Sequence, residues 1–226
     1  MHYLENLFRQ LDFASMGALV LRLVSVFLCL TVHETCHGVA AYALGDPTAK
    51  RMHRLSLNPL RHIDWFGLAM MVLCGFGWAK PVPVDSRYFT KNAKAKMALT
   101  ALAGPVSNLL AAFVGALIFY LIAFLTGYST SVIMSYVATF FLYYITININ
   151  LAVFNLIPLP PLDGSRILAA FLPDRMVYQY YRYQNIIMLA VFVLLFTGVL
   201  SRPLGWLTTQ VYNGIMTLAA LPFSFA

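Results

Sequence analysis

The chain has 226 residues, 61% of them hydrophobic and 10% charged, with a formal net charge of +7. Soluble domains carry about 25% charged residues, so this composition excludes a chain that stays dissolved without a bilayer. The charge does not mark a nucleic-acid binder either: nine of the fifteen Lys and Arg lie between Lys50 and Lys96, and Arg166, Arg175 and Arg182 share one later connection, the pattern of short cytoplasmic loops.

From the amino terminus, Met1–Leu30 does not read as a cleaved secretory signal, because Asp12 and Arg22 interrupt it, so the first helix is expected to stay. A first span is expected over Leu23–Leu44, running inward from an external amino terminus, with Phe13–Leu21 as its extension or as an interfacial piece. At 1.5 Å per residue, Arg22 to Gly45 covers about 34 Å, which puts His33 and His37 in the inner half of the hydrocarbon.

Ile63–Trp78 is apolar but short, contains Gly67, Gly75 and Gly77, and has basic residues on both sides; it reads as a re-entrant or sheet-like segment. Lys80-Pro-Val-Pro-Val84 reads either as an edge strand that accepts extended substrate backbone or as an interfacial turn. Met97–Leu125 should cross outward and Ser131–Phe154 return, joined by the uncharged Gly127–Ser131 turn. Pro158, Pro160 and Pro161 then break Asn155–Asp163 within or near the membrane. Val177–Tyr183 resembles an interfacial tyrosine belt, and Asn185–Leu200 and Pro203–Leu221 complete the spans. The expected fold is an all-α polytopic membrane protein: one domain over residues 1–226, with about five to six transmembrane helices and a short re-entrant or β-like segment.

His33-Glu34-Thr35-Cys36-His37 falls on a helical run. At 100° per residue the two imidazoles lie about 40° apart on one face, with Glu34 beside them. They can share a metal while the carboxylate stays free to take a proton from water. Two histidines and a glutamate at membrane depth are costly and need a shared reason; the bland alternative is a polar cluster without metal. A catalytic zinc site usually has three protein ligands. Glu5, Asp12, Asp46, Asp64, Asp85 and Asp174 fall at predicted ends or loops, which leaves Asp163, just after the proline break. Its alternative role is to cap the helix that begins near Ser165. Cys29, Cys36 and Cys74 are too few and too apolar in setting for a disulfide framework, and Cys36 reads as packing near the histidine face. His53 and His62 read as loop histidines.

The His33–His37 motif, the Gly104-Pro-Val-Ser-Asn108 segment and the Asn155–Gly164 run together resemble the site-2 proteases, in that family's order. Leu57-Asn-Pro-Leu-Arg-His-Ile-Asp64 and Gly77-Trp-Ala-Lys-Pro-Val-Pro-Val84 are similar to a compact bacterial and archaeal branch without PDZ or cystathionine-synthase-type modules. The resemblance implies an intramembrane zinc metalloprotease with one Zn2+ per chain, held by His33, His37 and Asp163, and with Glu34 as general base and later proton donor. It implies that Asn155 orients substrate or stabilises the oxyanion, and that Gly104 and Asn108 shape the core. The implied partners are a transmembrane protein substrate and the lipid bilayer. The implied location is the plasma membrane, with the site in its cytoplasmic half. The rival reading of the same residues, a metal or proton transporter, needs a polar path to both faces, for which Leu109–Leu125 and Ile133–Tyr144 offer few ionisable groups.

Overall fold

The computed structural model describes residues 13–74, 78–127, 129 and 131–224. The stretch before Phe13, the Gly75 and Gly77 positions of the expected re-entrant segment and the Cys74 side chain lie outside what is described.

Long apolar runs form three long helices, one of which carries Gly104-Pro105 in its interior: α1 (Phe13–Ala43), then, after the short α2 (Thr48–Arg51) and α3 (Trp65–Cys74), α4 (Ala93–Leu125) and α5 (Val132–Asn155). Their 31, 33 and 24 residues rise about 46, 50 and 36 Å, each beyond the ~30 Å of hydrocarbon. The Ser131 hydroxyl starts α5 by accepting the Met134 N–H, so the uncharged turn ends in an N-cap.

The Lys96 ammonium at the start of α4 donates to the Leu44 carbonyl just past α1, 3.0 Å away, so these two helices are antiparallel and their basic ends coincide. Helix α5 runs back against α4. Small residues let the backbones approach: Ala112 and Ala116 of α4 meet Ile145, Ile149 and Val153 of α5 and Ala219 of a later helix in one core cluster. At Gly115 a Cβ would lie 2.8 Å from the Tyr144 ring, so this crossing requires glycine.

The proline run leads into α6 (Asp163–Phe171), which packs on α4, followed by α7 (Asp174–Arg182), α8 (Gln184–Phe196) and α9 (Ser201–Ala220); α9 lies against α4 and α5. The all-α membrane class is therefore observed. Among the described residues, three helices are each long and apolar enough to cross a membrane, against the five to six spans expected in all. Helix α8 has 13 residues and rises about 20 Å, and α9 carries Arg202, Gln210 and Asn213 within its length.

The segment expected to be re-entrant or β-like contains helix α3, and among the described residues its sheet character is a single antiparallel bridge between Ile63 and Ala79. That bridge ties the two ends together, so the chain leaves and returns at one place. The Lys80 N–H donates to the His62 carbonyl at 2.9 Å, and Asp64 Oδ1 accepts the Gly67 N–H at the first turn of α3. Gly67 has no room for a side chain, since a Cβ there would stand 2.2 Å from the Trp78 carbonyl oxygen.

Candidate metal centre

His33 and His37 are one turn apart on α1, and Asp163 is the first residue of α6, 130 positions after His33. The break between α5 and α6 turns the chain back so that the Asp163 carboxylate meets both rings: Oδ2 lies 3.1 Å from His33 Nε2 and 3.2 Å from His37 Nε2, and the two Nε2 atoms are 3.0 Å apart. All three residues are buried. The N-cap of α6 is Leu162 and no side chain caps this helix, so Asp163 points at the histidines instead of capping. Gly164 permits the bend, because a Cβ there would fall 2.4 Å from the Leu156 and Ile157 carbonyl oxygens.

The partners on the far side of each ring decide what faces the centre. His37 Nδ1 is 2.7 Å from the Thr100 main-chain carbonyl, which can only accept, so Nδ1 carries a proton and, in the neutral ring, Nε2 presents a lone pair. His33 Nδ1 is 2.6 Å from Asn108 Oδ1. That amide is oriented in turn: Asn108 Nδ2 donates to Asn148 Oδ1 at 2.7 Å, and Asn148 Nδ2 donates to the Tyr144 carbonyl at 2.9 Å. The series ends on an obligatory acceptor, so Asn108 Oδ1 must face His33, and His33 Nε2 is also bare.

With both rings neutral, three acceptor atoms converge with no proton donor between them, an arrangement that a cation in the middle stabilises. Ligands of a tetrahedral zinc at 2.0–2.1 Å lie about 3.3 Å from one another, close to the observed separations. Nitrogen and oxygen donors of this kind suit zinc, and ring N–H groups held by carbonyls are the usual outer support of metal-bound histidine. Gly104 leaves the space for both rings: a Cβ there would be 2.5 Å from His37 Nε2 and 2.6 Å from His33 Cε1.

Glu34, partly buried, is not part of the triad. Its Oε2 accepts the Val82 main-chain N–H at 2.7 Å. Asn155 ends α5 and its side-chain amide donates to the Leu151 carbonyl at 3.0 Å; among the described residues it makes no hydrogen bond to the triad. Cys36 is free and partly buried, and Cys29 is buried with its thiol 3.7 Å from the Tyr144 carbonyl. The buried His62 bonds through Nε2 to the Ser56 carbonyl, so it braces the loop and is not a donor to this centre. His33 and His37 lie about 16 and 10 Å along α1 from Leu44, the end marked by Lys96.

Sequence reasoning missed Thr100 and Asn148, and the contact of Val82 with Glu34. For Asn148 the signal was available, an amide within an apolar span. Thr100 and Val82 act through main-chain atoms and leave no mark of residue type.

The profile of Peptidase family M50 matches residues 123–198, which include Asn148 and the whole turn into Asp163. A protein of Bacillus subtilis (strain 168) named "Putative zinc metalloprotease YwhC" is 42% identical over 153 residues, 66% of this chain and 68% of that protein. The chain belongs to peptidase family M50. No solved structure was found to match it. As an M50 peptidase the protein is a zinc metalloprotease, so the expected enzyme class holds and the transporter reading gives way. In this M50 peptidase the His-Glu-x-x-His helix and the Asp163 turn are the two halves of one polar centre between α1, α4 and α6.

Proposed function

We propose that this M50 peptidase hydrolyses peptide bonds in or near transmembrane segments of other membrane proteins, with His33, His37 and Asp163 holding the zinc and Glu34 as the base. The observation that carries the reading is the meeting of two imidazoles and a carboxylate, all buried, in a bundle of apolar helices long enough to cross a membrane, with the Glu34 carboxylate next in sequence to His33 and held through one oxygen only. When bound, zinc supplies Lewis-acid polarisation of the scissile carbonyl and makes water acidic enough to lose a proton near neutral pH.

The chain's own groups do the rest. Glu34 Oε2 is held by Val82, and its other oxygen makes no protein hydrogen bond among the described residues. That oxygen takes a proton from the attacking water and returns it to the departing amine nitrogen. Asn155 sits at the mouth of the proline turn; its amide, released from Leu151, donates to the oxygen on which negative charge develops. The clustering of Lys and Arg at the end where α1 and α4 meet supports an active site in the cytoplasmic half of the plasma membrane.

The deciding experiment uses the protein in phospholipid vesicles with a single-span substrate. Glu34→Gln is expected to keep one equivalent of zinc and to abolish cleavage. Cleavage that persists in this variant rules out Glu34 as the base. Asn155→Ala is expected to lower kcat by about a hundredfold, within the range seen on removing one oxyanion donor, while zinc content is kept.

A further inference from the structure

We propose that Arg54 and the Pro81-Val82-Pro83 stretch are a positioning device for Glu34; this rests on the reading of Glu34 as the base. Proline has no N–H, so Val82 offers the sole main-chain donor of the three residues, and that donor is spent on Glu34 Oε2 at 2.7 Å. Pro81 fixes its own φ, and Pro83 confines Val82 to extended backbone, so the N–H is presented in one direction. The stretch is clamped from behind. Arg54 Nη2 donates to the Lys80 carbonyl at 2.8 Å and to the Pro81 carbonyl at 3.3 Å, and both Arg54 and Val82 are buried.

Two features of the fold make the approach possible. Gly38 lies one turn beyond Glu34 on the same face of α1, and a Cβ there would stand 3.0 Å from Val82 Cγ1. Glycine at this position lets the extended stretch come close enough for its N–H to reach the carboxylate. The turn after α2 aims Arg54: His53, at φ 54°, donates to the Lys50 carbonyl, and the Arg54 N–H returns to Ala49, the pattern of a helix closed by a left-handed residue. A glutamate side chain has several rotamers, and the Val82 bond selects one of them while leaving a single oxygen free for proton transfer.

The test uses the full chain in vesicles with the same single-span substrate, reading zinc content, kcat and KM. Val82→Pro deletes the N–H, and kcat is expected to fall about tenfold to a hundredfold with zinc retained and KM little changed. Val82→Ala keeps the N–H and is expected to keep kcat within a few-fold. Arg54→Ala is expected to lower kcat, to be partly restored by added methylguanidinium, and to cost little further in the Val82→Pro background. Full or increased turnover in Val82→Pro overturns the proposal, as does equal impairment of the Pro and Ala variants, which would indicate packing alone. Should Val82→Pro lose zinc or fail to fold, the Arg54→Ala rescue decides: restoration supports the device and its absence overturns it. Cleavage surviving in Glu34→Gln is a different outcome, since it removes the base reading itself; an inactive Glu34→Gln beside a fully active Val82→Pro removes only the positioning role.

Discussion

An imidazole can bind a metal through either ring nitrogen, and here the choice is made by carbonyls at some distance from the motif. The path from the Tyr144 carbonyl through Asn148 and Asn108 to His33 has one self-consistent set of donors and acceptors. Asn148→Leu removes its middle member and frees Asn108 to turn its NH2 toward His33; zinc affinity is predicted to fall about tenfold to a hundredfold, measured by competition with a chromophoric chelator. Gly104→Ala places a methyl group where both rings lie, so it is predicted to lose zinc and cleavage together, read by metal analysis of the purified variant. The pairing of His33 with His37 was legible because their spacing is set by helical geometry alone. Asp163 was legible because few acids remained once loops were assigned. The outer partners were not, since a main-chain carbonyl such as that of Thr100 is available at every position and tertiary packing alone selects it.

The helices show where pattern reading is strong and where it stops. Helices α1, α4 and α5 follow their apolar runs to within a few residues of expectation, apart from α1, which takes in the Phe13–Leu21 extension as one continuous helix. At the other end, the expected run Asn185–Leu200 is shortened, because α8 ends after 13 residues and Thr197–Leu200 forms a turn. The segment after Ile63 is a helix with tied ends, and among the described residues its β character is one bridge. The α2 turn carries its own prediction. His53 holds a left-handed conformation that costs a non-glycine residue about 1 kcal/mol, so His53→Gly is predicted to raise stability by up to that amount, measured by thermal unfolding in detergent.

Across the whole molecule, the polar centre joins parts of the chain that have little else in common. α1 brings two donors and α6 one, with α4 between them as a common wall. An ion bound by all three favours the folded bundle over any state in which α6 has swung away, so removing zinc with a chelator is predicted to lower the unfolding temperature as well as to stop cleavage. The loss should be larger in wild type than in Asp163→Asn, whose α6 is no longer fastened by the metal. Scanning calorimetry with and without chelator checks both statements.

The 130 residues that separate His33 from Asp163 also set an order of events during biosynthesis. A ribosome delivers the histidine pair and its glutamate long before the aspartate emerges, so the growing polypeptide lacks a complete ligand set while its first helices enter the bilayer. The ligand set proposed for the metal is therefore complete only once the chain has been made past Asp163.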